Sequence, residues 1–200
     1  MATKINLLLK RSIDLLGSLL GAIVLSPFIA LIAIIIKLDS KGPVFFRQNR
    51  LGKYGKTFEL LKFRTMVTNA ENIGDGIFVR EETDQRITKI GKFLRGTSLD
   101  ELPQLLNVIK GEMSLVGPRP PLPHHPYNYN EYSPNQRKRF INKPGITGLA
   151  QVKFRNSVSW DERIVADLDY VENQSLFLDI KILIWTIAKL FKKENIYLSN

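Results

Sequence analysis

No charged side chain occurs between Leu15 and Ile36, a run of 22 residues. About 20 apolar residues suffice to cross a hydrocarbon core of about 30 Å, so this segment sets the first constraint on any fold. A cleavable leader would have a shorter apolar core followed by a small-x-small site, whereas this run ends in Ile34-Ile35-Ile36-Lys37. Ser26-Pro27 stands at its middle. Proline lacks a backbone donor and kinks a helix, which divides the run into two arms of about ten residues, each about half a bilayer long. Lys4, Lys10 and Arg11 precede the run, and Lys37 and Lys41 follow it. Basic flanks favour the cytoplasmic side, and a straight crossing satisfies only one of them. A re-entrant helix that bends at Ser26 and Pro27 and returns to the same face satisfies both. A kinked spanning helix is the alternative.

Residues 41–200 read as one further domain with no internal repeat and no linker. Gly42-Pro43 is a turn, Val44-Phe45-Phe46 a short strand and Thr57 to Phe63 a second, so residues 43–63 predict a hairpin. Residues 69–86 read as a polar loop or frayed helix. Helices are predicted over 87–95, 99–110 and 161–171. Five prolines between Pro118 and Pro126 impose an extended, irregular path. Near the C-terminus, Ile180, Leu183, Ile184, Ile187, Leu190 and Phe191 form one apolar stripe, with Trp185 at its border and Lys181, Lys189, Lys192 and Lys193 off it. Such a helix suits either an anionic bilayer surface or the protein's own core.

Lysine and arginine number 29 against 19 acidic residues, a net charge of +10 that calls for an anionic partner: nucleic acid, an acidic membrane or phosphorylated substrates. The absence of cysteine excludes disulfides, thiolate nucleophiles and iron–sulfur clusters. Two adjacent histidines, His124 and His125, give little material for a His-rich metal site or a Ser-His-Asp triad. No Walker A or Gly-x-Gly-x-x-Gly fingerprint occurs. The basic residues are scattered and no nucleic-acid motif is present, so the alternative of a membrane-anchored nucleic-acid-binding module has little support.

The segment from Arg95 to Leu105 is the most informative. Pro103 is tolerated only in a first helical turn, which starts a helix near Asp100. Asp100 and Glu101 then lie where free N–H groups and the helix dipole favour anions. Acidic residues there are ordinary caps, and Ser98-x-x-Glu101 matches a capping box. They also suit a metal that brings in a phosphate. Lys62, Arg64, Arg95, Arg119 and Arg155 stand singly between apolar or proline-fixed neighbours, unlike the run Arg137-Lys138-Arg139. Single cations beside two carboxylates are the inventory for magnesium-dependent chemistry on a diphosphate.

These motifs resemble those of the bacterial sugar transferases, the monotopic polyprenol-phosphate phosphoglycosyl transferases in their small form. The pieces stand in the family's order: the apolar segment with Ser26-Pro27, Lys62 to Met66, Arg95 to Leu105, Met113 to Pro120, Arg139, Pro144 to Val152, Arg155-Asn156, Ser159-Trp160 and Asp167-x-x-Tyr170. The resemblance implies an α+β, mainly helical fold. It has an N-terminal re-entrant membrane helix hairpin (residues 1–40), a small β-hairpin, and amphipathic interfacial helices around one catalytic domain (41–200) at the cytoplasmic face of the bacterial inner membrane. It implies transfer of a sugar-1-phosphate from a UDP-sugar to undecaprenyl phosphate with release of UMP, at the start of glycoconjugate assembly. It makes Asp100 the nucleophile that forms a covalent phosphosugar ester, with Glu101 its partner at Mg2+. An ionised Asp100 is expected, since nearby cations and magnesium favour the charged form. Residues 69–86 and 121–136 match no motif and are candidates for sugar specificity.

Overall fold

A single helix, α1 (Lys4–Asp39), carries the whole apolar run and continues through Pro27. The computed structural model describes residues 4–73, 76, 84–154 and 157–190. Pro27 cannot supply the N–H that would bond the Ile23 carbonyl four residues back. The Ser26 hydroxyl donates to that carbonyl instead, at 2.8 Å. The two arms are therefore halves of one helix, with no loop between them. Asp14, Ser18, Gly21, Leu25, Ile29, Ile32 and Ile36 recur every three or four residues as a buried or half-buried stripe. Leu20, Ile23, Val24, Phe28, Leu31 and Ile34 face outward, fully apolar. The helix is long and apolar enough to cross a membrane.

The hairpin forms as predicted, with a longer first strand: β1 (Phe45–Leu51) pairs antiparallel with β2 (Thr57–Phe63). Of the segment predicted over 69–86 as a polar loop or frayed helix, residues 74–75 and 77–83 lie outside the described residues; helix α2 (Lys89–Thr97) comes after it, and Ser98 ends that helix in the left-handed region at φ 58°. The helix predicted over 99–110 divides in two. Residues Leu99–Glu101 form a 3-10 turn, and α3 (Gln104–Lys110) starts only after Pro103. Asn107, fully buried, docks the hairpin on α3 by accepting from the Leu61 N–H (3.0 Å) and donating to the Glu59 carbonyl (2.7 Å), as a neighbouring strand would.

Two three-residue strands escape the sequence pattern. β3 (Ser114–Val116) pairs in parallel with β4 (Gly145–Thr147), where only a turn is predicted. Helices α4 (Leu149–Phe154), α5 (Trp160–Glu172) and α6 (Leu176–Leu190) complete the domain. On α6, Leu178, Ile182 and Leu183 join the core around Val116, Leu149 and Tyr170. Phe177, Ile180, Ile184 and Ile187 stay exposed, with Lys181 over the Trp185 ring. Of the stripe read from the sequence, Ile180, Ile184 and Ile187 thus face outward and Leu183 joins the core, while Phe191 lies outside the described residues.

Buried polar bonds tie α1 to this body. Asp14 accepts from the Ser114 hydroxyl (2.8 Å) and the Leu115 N–H (3.0 Å). Lys10 reaches Asp179 (2.8 Å), which also accepts from the Tyr170 hydroxyl (2.7 Å). Arg11 donates to the carbonyls of Val108 and Ile109 at the end of α3.

The β3–β4 ladder brings backbone against backbone. A Cβ at Gly145 would stand 2.1 Å from the Gly117 nitrogen and 2.2 Å from the Thr147 carbonyl. Gly145→Ala is therefore expected to cost about 3 kcal/mol or more, a fall of about 6–12 °C in a thermal melt. Gly96→Ala, where nothing lies within 4 Å, raises the melt slightly because it removes helix-interior glycine entropy. Equal melting of the two variants would contradict this packing.

Candidate active site

Asp100 and Glu101 lie in the 3-10 turn between α2 and α3, not in an α-helical first turn. The turn is closed by its own backbone, Glu101 N–H to the Ser98 carbonyl (3.2 Å) and Leu102 N–H to the Leu99 carbonyl (3.2 Å). Ser98 makes no side-chain cap. The Glu101 carboxylate turns to cations instead, which removes the capping-box reading. Lys62 Nζ lies 2.6 Å from Glu101 Oε1 and 3.6 Å from Asp100 Oδ2. Arg119 Nη1 lies 3.6 Å from the same Glu101 oxygen.

Each partner arrives on a separate element. On β2, Leu60 and Lys62 share a face. Leu60 enters a cluster with Val108 and Met113, and Lys62 is delivered one step further on, at the carboxylates. Arg119 comes from the proline-framed segment after β3, with about a third of its side chain exposed at 34 %. Arg95 sits in the last turn of α2, and its charge acts on Asp100.

Burial dominates the protonation of Asp100, which is only 9 % exposed. It raises the carboxyl above the usual carboxylate range, and the Glu101 charge adds to the rise. Lys62, Arg95 and Arg119 oppose the shift without cancelling it. The expectation that neighbouring cations keep Asp100 ionised thus meets a stronger desolvation effect. Burial pushes Glu101 the same way, but Lys62, Arg119 and Arg50 outweigh it and bring Glu101 down to about 2. Two adjacent carboxyls are driven apart: one is a fixed anion, the other a more basic oxygen.

Arg64 lies elsewhere. It is buried, and its Nη2 donates to the carbonyls of Ile36 (3.2 Å) and Ser40 (2.7 Å) and to the Ser40 hydroxyl (3.0 Å). It caps the C-terminal end of α1, where orphaned carbonyls need donors. Arg155 lies outside the described residues. Arg50, overlooked in the sequence, acts electrostatically on both Arg119 and Glu101. Its pattern with Gln48, two residues apart on one strand face, is the only sequence signal. The same strand carries the more conspicuous Arg47, which lies outward at Glu59 (3.3 Å).

No group of three or more His, Cys, Asp or Glu that could hold a metal occurs among the described residues. The donor set suits a hard cation of another kind. Two carboxylates already converge on one positive charge, Lys62, and Mg2+ takes one or two protein carboxylates with phosphate and water completing its shell.

A family model described as bacterial sugar transferase matches residues 5–193. A UDP-glucose:undecaprenyl-phosphate glucose-1-phosphate transferase of Caulobacter vibrioides is 42% identical over 193 residues, covering 94% of this chain and 72% of the relative. An uncharacterized sugar transferase, EpsL, of Bacillus subtilis is 42% identical over 194 residues, covering 97% and 93%. A longer Klebsiella pneumoniae protein with the same name as the Caulobacter one is 44% identical over 198 residues, covering 96% of this chain and 42% of the relative. With its motifs in place and this extent of matching, the chain belongs to the bacterial sugar transferase family.

Proposed function

We propose that this enzyme moves a sugar-1-phosphate from a UDP-sugar to undecaprenyl phosphate through an ester on Asp100. The observation that carries the reading is the split pair: Asp100 and Glu101, one lysine apart, with opposite protonation tendencies. A desolvated carboxylate with a raised pKa is the stronger nucleophile once deprotonated, and a carboxylate held low stays available to pair with cations. The names of the relatives support the donor and acceptor classes.

In the first step an Asp100 carboxylate oxygen bonds to the β-phosphorus of the donor. The bond from that phosphorus to the bridging oxygen breaks, and UMP departs with the electron pair. In the second, a phosphate oxygen of the lipid bonds to the same phosphorus and Asp100 is released as carboxylate. Lys62 stands where it can neutralise charge on the transferred group, and Arg119 and Arg95 where they can bind the donor's phosphates. Glu101 and Asp100 would hold Mg2+, which supplies further positive charge against the diphosphate.

The re-entrant anchor belongs to the same proposal. Arg11 binds carbonyls of α3, and Arg64 binds the carbonyl of Ile36 from the other end of the apolar run. Both ends of the run therefore contact one domain, which a bilayer crossing of about 30 Å between them would prevent. With basic flanks at both ends, this supports a catalytic domain on the cytoplasmic face, at the level of the lipid phosphate.

A panel of UDP-sugars, assayed for UMP release with undecaprenyl phosphate and Mg2+ in detergent, tests the proposal. One or a few donors should release UMP and yield a lipid diphosphate-sugar. No release from any donor, by enzyme with an intact melt, rejects it.

A further inference from the structure

Four consecutive carbonyls, from Pro118 to Pro121, each accept a hydrogen bond from a different donor. These are the Gly145 N–H (3.0 Å), Arg139 Nη2 (2.9 Å), Arg50 Nη1 (3.2 Å) and the Leu51 N–H (3.0 Å). Three of the four residues are prolines and have no N–H, so the ribbon is held through its acceptors. Two of the four donors are guanidinium groups, and both are braced from behind. Arg139, 1 % exposed, is gripped by Asp167 at its Nε (3.1 Å). Arg50 Nη2 is held by the Gln48 side-chain oxygen (2.6 Å), and the Gln48 amide in turn donates to Glu71 (3.1 Å). The two gripped carbonyls belong to Arg119 itself and to Pro120, the residue after it.

We propose that Arg50 and Arg139 are positioning residues, which clamp the Arg119 and Pro120 carbonyls from two sides and so fix the direction in which Arg119 presents its guanidinium to the donor's phosphates. The inference rests on the donor-phosphate reading of Arg119. Electrostatics favour this role over simple bracing. Burial and the Arg119 charge bring Arg50 down to about 10, and the same two causes lower Arg163 nearby. A neutral donor such as glutamine could hold a carbonyl without that repulsion. Glu101 and Glu71 offset the repulsion only in part, and an arriving diphosphate, by adding negative charge, relieves more of it.

A double-mutant cycle separates positioning from general packing. Arg50→Gln should lower kcat/KM for the UDP-sugar about tenfold, mainly through KM, while the same change in an Arg119→Gln background costs less than about twofold. Arg50→Lys keeps one charge and one donor but loses the fork. It should show the same coupling at smaller amplitude, and it carries the test if the glutamine variant does not fold. Equal losses in both backgrounds, or no loss in the wild-type background, overturn the inference. If Arg119→Gln alone leaves KM unchanged, it is the donor-phosphate reading of Arg119 that fails.

Discussion

Asp100→Asn is expected to lower turnover at least about 10^4-fold, with its melt unchanged or raised. The substitution keeps shape and removes the only oxygen in the cluster that is both buried and basic. Folding should not suffer, because burial of this charge is already unfavourable and an amide carries no such desolvation cost. Mass spectrometry provides the second readout. Wild-type enzyme given donor without lipid acceptor should gain the mass of one sugar-phosphate on the peptide holding Asp100, and the variant none. Glu101→Gln should behave differently. It deprives Lys62 and Arg119 of a shared counter-charge, so activity and melt should both fall. An Asp100→Asn enzyme that keeps more than about a hundredth of wild-type turnover, or an adduct mapped to another residue, would remove the ester from the mechanism.

The long-range signals in the sequence are those that one segment carries alone. The apolar run with its basic flanks predicts α1, and the turn at Gly52 and Gly55 predicts the hairpin whose strands pair from Phe45 with Phe63 to Leu51 with Thr57. What stays hidden depends on partners far apart in the chain. The β3–β4 ladder has three residues per strand and exists because Gly117 and Gly145 allow backbones to touch. A glycine at 145 reads equally well as a turn. Lys62 and Arg64 look equivalent two residues apart, yet Arg64 follows the strand's last residue and meets the end of α1. The Ser98-x-x-Glu101 pattern is a genuine cap signature, but Lys62 arrives from β2 at 2.6 Å and a charged partner wins over a backbone N–H. Arg50 could not be singled out because the carbonyl it holds, that of Pro120, lies in a proline ribbon 70 residues away.

Single-cysteine labelling should give an all-or-none result for the anchor, and the absence of native cysteine makes it clean. Ile5→Cys and Lys41→Cys, on either side of the apolar run, should both react with a membrane-impermeant maleimide only when the cytoplasmic face is accessible. Ser26→Cys should resist the reagent from either side, because the proposed re-entrant anchor would hold it within hydrocarbon. A spanning helix of 22 uncharged residues would instead be about 33 Å long and would leave the first two positions on opposite faces. The contacts at the ends of α1 make that arrangement costly. It would strip the Val108 and Ile109 carbonyls of Arg11, or the Ile36 and Ser40 carbonyls of Arg64, and leave a buried guanidinium unpaired. Ser26 contributes beside Pro27, since its hydroxyl covers the Ile23 carbonyl that Pro27 leaves without a donor, a group worth several kcal/mol in lipid if bare. Reaction of the two flanking cysteines from opposite sides would return α1 to an ordinary crossing and detach the site from the lipid phosphate. Reaction of Ser26→Cys from the cytoplasmic side would mean instead that α1 lies flat in the headgroup layer.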